Sequence, residues 1–284
     1  MASAWLIILW LQKQNFQPIL WIGHENNIST LIHPTAVVDP AAVVGANVKI
    51  GPYSIVESNV TIGDECTIGN HVTICTNTTI GKGCRVFHSS SIGEIPQDLK
   101  FEGEETKTTI GDRTTIREYV TVNRGTKSHG ETQIGSDCLL MASTHVAHDC
   151  ILGDNVIMSN LSTLGGHVAI GDWAILGGGV LVHQFTKIGA HVLIGGGFRA
   201  VQDVPPFILG AEEPLKFKGI NTIGLKRRGF SVEERKLIKN TYRIYFQSGL
   251  NRRDALHKIE SDIPISPYKH QIIDFIHSSE RGII

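Results

Sequence analysis

The chain has 284 residues, 41% of them hydrophobic, which is ample for a core. Its 26 basic and 27 acidic side chains leave a net charge of −1, so composition gives no reason to expect a nucleic-acid partner. Five cysteines, an odd number, argue against a disulfide framework.

Residues 1–31 differ from the rest of the chain. Three of the four tryptophans, Trp5, Trp10 and Trp21, lie there. The apolar run 4–11 is too short to span a bilayer, and Lys13 comes after it where a signal peptide would have its charge in front. The segment is expected to be an extension outside the fold, and the chain to be cytoplasmic with no stable membrane insertion.

From Ile32 every sixth residue is aliphatic: Val38, Val44, Ile50, and so on to Ile92, again at Ile110, Ile116 and Val122, and from Ile134 to Ile194. None of these 25 positions is polar, and Gly comes directly after the aliphatic at 14 of them. A period of six matches neither a helix nor a two-sided strand. It predicts a parallel β-helix: one short strand and a turn per face, three hexads per coil, coils stacked about 4.8 Å apart with the aliphatics on the axis. The glycines are expected to supply an unusual backbone angle at the turns. The position two before each aliphatic is small, as at Ala36, Ser54, Cys66 and Cys84, so that the chain can turn inward. Cys66, Cys84, Cys138 and Cys150 are read there as core residues, with Cys66 and Cys84 stacked in neighbouring coils and reduced.

Two stretches interrupt the period, 94–109 and 125–133, and both are expected to be loops ejected from a prism covering 32–204. Further along, the 18-residue coil brings 147–149, 165–167 and 183–185 to one corner of three consecutive coils. That corner holds His148, Asp149, Gly166, His167, His183 and Gln184, with His145 nearby. Imidazole suits proton transfer near neutral pH, and an adjacent carboxylate holds its tautomer. With no Ser or Cys nucleophile in the corner, the residues point to direct transfer. His148 deprotonates a substrate hydroxyl that attacks an acyl thioester, and the Gly166 N–H receives the developing oxyanion. Two alternatives stand beside this: a histidine ladder without chemistry, and a zinc site, for which three imidazoles suffice. Asp149 and Gln184 suit a sugar better than zinc, so no metal is expected.

After Val204-Pro205-Pro206 the period ends, and 205–284 is read as a small helical domain. Ser231-Val-Glu-Glu234 is a capping box opening one helix, Asn251 caps a second, and Ser266-Pro267 starts a third.

At His145-Val-Ala-His148-Asp149-Cys150 the chain resembles the bacterial UDP-N-acetylglucosamine 3-O-acyltransferases, the first enzymes of lipid A synthesis. The matching segments include Gln97-Asp-Leu-Lys100, Val122-Asn-Arg-Gly-Thr126, Val182-His-Gln-Phe185 and Gly224-Leu-Lys-Arg-Arg-Gly-Phe230. The resemblance implies a left-handed coil and a homotrimer with sites between neighbouring prisms. It implies transfer of a (3R)-3-hydroxyacyl group from acyl carrier protein to the sugar 3-hydroxyl, without a cofactor. By resemblance, His148 is the general base, Asp149 its partner, and Gly166 the donor facing the thioester oxygen. His145, His167, His183 and Gln184 contact substrate, and Asp98, Lys100, Asn221 and Arg227 contact the sugar nucleotide. Gly196 limits acyl chain length. Ile223 departs from members that carry Glu there, and residues 1–30 have no counterpart. The competing readings are a related enzyme acting on an amino sugar or using acetyl-CoA, and a non-enzymatic docking rod.

Overall fold

The computed structural model describes residues 30–284, together with the backbone of Ile22–Gly23. The expected extension over 1–31 falls mostly outside the described residues; Ile22–Gly23 pairs antiparallel with Leu31–Ile32 at the start of the coil.

The chain forms the expected parallel β-helix. Successive two-residue strands pass to three faces in turn, building sheets of 12, 9 and 8 strands. The first face carries Leu31–Ile32, the second Val37–Val38 and the third Val43–Val44. Coil pairs with coil in parallel, Ile50 beside Ile68 and Ile68 beside Val86. From Ile50 onward the aliphatics of the repeat are buried on the axis, and all five cysteines are buried and free.

The glycines next to the aliphatics do a different job from the one the repeat suggests. Of the 14, only Gly93 has a positive φ (83°). The left-handed residue instead sits three places after the aliphatic and is usually not glycine: Asn47, Tyr53, Asn59, Glu65 and His71 are the first of the series. What the glycines provide is room. A Cβ on Gly135 would lie 2.4 Å from the Gly153 carbonyl oxygen in the next coil, and one on Gly63 2.8 Å from the Gly81 carbonyl carbon. At these glycines the corner packs backbone on backbone, and a Cβ would force the coils to shift.

The ejected loops are shorter than the break in periodicity suggests. Lys107–Ile110 pairs with Glu131–Ile134 over four residues, and Ser91–Glu94 is also strand, so the loops proper are 95–106 and 124–130. Backbone groups that can find a neighbouring coil are drawn into the ladder whatever their side chains. The pairing Val86 with Ile116 spans 30 residues and Ile116 with Leu140 spans 24, against 18 elsewhere. Both insertions are whole multiples of six, which is why the aliphatic phase survives them.

After Arg199–Ala200 the chain does not leave the prism at once. Ile208–Ala211 extends the first face beside Leu193–Ile194, and Lys216–Ile220 returns antiparallel to it. Helices then run over Val232–Gln247, Arg252–Asp262 and Pro267–Ser278, begun by Ser231 (a full capping box with Glu234), Asn251 and Ser266 as expected. A fourth, Thr222–Arg227, is not legible from periodicity because it is shorter than two turns; the Asn221 side chain caps it. The helices are fastened to the prism by fully buried Tyr242, whose hydroxyl donates to the Pro206 carbonyl at 2.6 Å.

Gly135→Ala therefore tests the packing role of the repeat glycines. At ordinary φ, alanine would normally gain stability through the unfolded chain. Here overpacking should prevail, destabilising by about 1–3 kcal/mol, read as a lower thermal unfolding midpoint.

Candidate functional site

One edge of the prism, between the second and third faces, carries both ejected loops and the histidine corner. The loop 95–106 leaves the prism there, between Ser91–Glu94 and Lys107–Ile110. One coil on, the loop 124–130 leaves at the same edge. The next three coils place His148-Asp149, Gly166-His167 and Gln184-Phe185 there in turn. The result is an open cleft of about 520 Å³ lined by Gln97, Asp98, Leu99, Lys100, His148, His167, Gln184 and Phe185. Asp98, Lys100, His148, His167 and Gln184 are thus brought together within one chain.

The centre of the cleft is a histidine held by a buried carboxylate. His148 Nδ1 lies 2.8 Å from Asp149 Oδ2. Asp149 is 1% exposed, with a left-handed backbone (φ 59°) that tucks its side chain under the second loop. There the Thr126 N–H donates to Oδ1 at 2.9 Å and the Thr126 hydroxyl to Oδ2 at 2.7 Å. Burial works against the charge, but the Thr126 hydroxyl, His148 and the Thr126 N–H outweigh it and hold the carboxyl below its ordinary value. An ionised carboxylate only accepts, so Nδ1 of His148 must carry the proton. In the neutral ring Nε2 then keeps its lone pair, the arrangement a general base needs.

Gly166 lies against that nitrogen. A Cβ there would sit 2.7 Å from His148 Nε2 and 2.5 Å from Cε1. Nothing among the described residues accepts from the Gly166 N–H. A free donor thus stands beside a free proton acceptor.

His167 meets His148 edge-on, with ring centroids 5.2 Å apart, and stacks on Phe185 at 4.4 Å. Burial lowers its pKa against the opposing pull of Asp149. His145 lies on the adjoining second face with Nδ1 2.7 Å from the Thr121 hydroxyl, its pKa lowered by burial and then by His148. His183 is exposed, its Nδ1 3.1 Å from the Gln184 carbonyl.

Three expected site residues lie elsewhere in the same chain. Gly196 is exposed on the edge between the first and second faces, beside Gly178. Asn221 is buried past the last coil, its side chain accepting from Gly224 N and donating to the His191 carbonyl. Arg227 is exposed at the end of the short helix it shares.

Thr126, Thr132, His129 and Phe185 also belong to the site: spacing puts Phe185 at the shared corner and Thr126 ends a matching segment, but nothing in the sequence marks Thr132 or His129. Counting does find their edge: the loops come after Ile92 and Val122, which occupy the same face as Val146, Leu164 and Val182. His129 also forms, with Asp149 and His167, a group whose ligand atoms lie within 4.8 Å of one another. Both Asp149 oxygens are already engaged by Thr126 and His148, so a cation there would compete with the hydrogen bonds that define the pair.

Comparison with known proteins places these features in a lineage. A family model described as UDP-N-acetylglucosamine O-acyltransferase, domain 2, matches residues 203–284, and one described as bacterial transferase hexapeptide (six repeats) matches 41–76 and 131–166. The chain is 59% identical over 252 residues to an acyl-(acyl-carrier-protein)-UDP-N-acetylglucosamine O-acyltransferase of Chlorobium phaeobacteroides, covering 88% of this chain and 96% of the relative. The same-named protein of Chlorobaculum parvum is 56% identical over the same shares. Among solved structures, a UDP-N-acetylglucosamine acyltransferase from Bacteroides fragilis superposes with a TM-score of 0.88 at 48% identity, covering 89% of this chain and 100% of that one. The UDP-N-acetylglucosamine O-acyltransferase of Moraxella catarrhalis gives 0.87 at 40%, covering 89% and 99%.

Gly166→Ala is the sharpest test of the local geometry. The new methyl collides with the imidazole, which can only rotate away. The protein should fold and melt near normally. Its transfer rate should fall by roughly a hundredfold, the usual cost of misplacing a reacting group by about 1 Å.

Proposed function

The chain belongs to the UDP-N-acetylglucosamine O-acyltransferase family, and on that premise we propose that it moves a (3R)-3-hydroxyacyl group from acyl carrier protein to the 3-hydroxyl of UDP-N-acetylglucosamine, the first step of lipid A synthesis. The observation that carries the mechanism is the His148–Asp149 pair in the cleft, with Gly166 close against the His148 ring.

The chemistry runs from those positions. His148 Nε2 takes the proton of the sugar 3-hydroxyl as its oxygen attacks the thioester carbonyl. Asp149 stabilises the imidazolium through Nδ1. The Gly166 N–H donates to the oxyanion of the tetrahedral intermediate. Collapse breaks the carbon–sulfur bond, and the departing thiolate of the carrier recovers the proton from His148. Asp98 and Lys100, on the first loop, supply an acceptor and a cation at the rim, suited to a sugar hydroxyl and a phosphate. His145, His167, His183 and Gln184 bind substrate around the base. No step calls for a metal or cofactor. Among the described residues no helix is long and apolar enough to cross a membrane, in keeping with a cytoplasmic site of action.

We place the working site in a homotrimer. Gly196 cannot join His148 within one prism, because different edges of a rigid prism never meet, and Asn221 and Arg227 lie past its last coil. A threefold assembly brings one chain's edge against another's. The second face supports this reading, with Val37, Ile55 and Leu181 exposed at 63%, 44% and 47%, and so do Tyr53, Tyr119 and Leu161 along the edge that leads to Gly196. On this arrangement Gly196 leaves space for the distal end of the acyl chain, and Arg227 contributes to the nucleotide from the helix that Asn221 caps.

His148→Ala should lower turnover by roughly two to four orders of magnitude, the weight of a positioned base, while the protein still folds; Asp149→Asn should do less. Near-normal transfer by verified His148→Ala protein would end the mechanism. Ile55→Asp tests assembly: sedimentation should show monomer, and transfer should be lost although the residue is remote from His148. A fully active monomer would exclude the shared site.

A further inference from the structure

We propose that Thr126 is a positioning residue for the transfer reaction. Its hydroxyl and N–H hold Asp149 so that Asp149 can hold His148. The inference rests on the reading of His148 as the base.

The need for such a residue comes from the ejected loop. In regular coils the left-handed corner residue gives its N–H to a carbonyl 19 residues earlier: Asn155 to Ser136, His167 to His148, Phe185 to Gly166. Asp149 is the left-handed residue of its corner, but the coil before it has been expelled from Arg124 onward. Its N–H goes instead to the Thr132 hydroxyl at 2.8 Å. Its carboxylate, which is fully buried, faces the space that the missing corner would have filled. Thr126 occupies that space.

The hydroxyl is directed as well as near. Ser128 N–H donates to Thr126 Oγ1 at 3.2 Å, engaging a lone pair, and Asp149 can only accept, so the hydroxyl proton points at Oδ2. Oδ2 is the same oxygen that receives His148 Nδ1. The loop is closed behind Thr126 by Gly130 N–H to the Thr126 carbonyl at 2.7 Å. Gly125 permits that closure: a Cβ there would stand 2.2 Å from Glu131 N. A three-link chain therefore runs from the loop backbone through Thr126 and Asp149 to the base. Without the hydroxyl, a buried carboxylate keeps one fixed donor on Oδ1 and is free to turn Oδ2, and with it the imidazole.

The test is a double-mutant cycle on the full-length protein with steady-state kinetics. Thr126→Val should lower kcat by about tenfold or more, the worth of one hydrogen bond to a charged group. KM for UDP-N-acetylglucosamine should hardly change, the melting midpoint should fall modestly with the lost donor to a buried carboxylate, and Thr126→Ser should restore both kcat and melting. In an Asp149→Asn background, Thr126→Val should cost little more, because the two act as one unit. If valine disturbs the loop, Thr126→Ala removes the same hydroxyl without added bulk and carries the cycle. His148→Ala is assayed alongside. An active His148→Ala protein would remove the base and Thr126's role together. An inactive one, with Thr126→Val and Thr126→Ala at wild-type kcat or with losses that add in full to those of Asp149→Asn, would overturn the role of Thr126 alone.

Discussion

Most faces of this prism are two residues of strand long, and that brevity governs everything else. Two residues cannot bury a core or satisfy their own backbone; they can only lean on the coil above and the coil below. The ladder therefore has to be continuous, and each corner must turn the chain within four residues. One of the four takes a left-handed conformation in coil after coil, usually without being glycine. The strain is tolerated because the preceding coil holds the residue by its N–H, as it holds Glu65, His71 and Asn155.

The same rigidity makes the prism a ruler for chemistry. Residues at equivalent corners stack at the coil spacing, so three consecutive coils can present an imidazole pair, a bare glycine and an amide at fixed separations. Insertions must leave at a corner and add whole hexads, or the axial aliphatics fall out of phase. The two loops obey both rules and leave at one edge. The second opens a vacancy in the ladder, and the vacancy receives a carboxylate. Burying Asp149 there costs solvation, offset by two donors from Thr126 and one from His148. Because its pKa is lowered, this network stabilises the fold fully above the ordinary carboxylate range and loses that contribution as the pH falls through the lowered value.

How far the sequence can be read depends on which interactions are periodic. The strands, the axial core, the stacking of Cys66 on Cys84 and the corner shared by His148, His167 and Gln184 are all consequences of counting by six, and counting finds them. The helix starts at Ser231, Asn251 and Ser266 are local side-chain-to-backbone bonds, and they too are legible. The repeat glycines mislead, because a clash with the next coil's backbone leaves no mark distinguishable from a need for positive φ. Thr126 and His129 escape because a loop has no phase, so its side chains cannot be assigned neighbours. The short helix at Thr222 escapes because its cap, Asn221, precedes too few residues to show a period.

Phase also decides what one chain cannot do. A residue's edge is set by its place in the 18-residue coil, and no motion short of unwinding transfers it to another. His148 and Gly196 stand on different edges, separated by the second face. If both serve one reaction, as the family likeness implies, the geometry leaves a single route: the face between them must be covered by another chain that brings its own edge alongside. The exposed aliphatics on that face are then a consequence of the same constraint that built the ladder. In the proposed trimer, a prism too stiff to fold over its own substrate would close the site by association, and covering the exposed Val37, Ile55 and Leu181 would supply the hydrophobic drive.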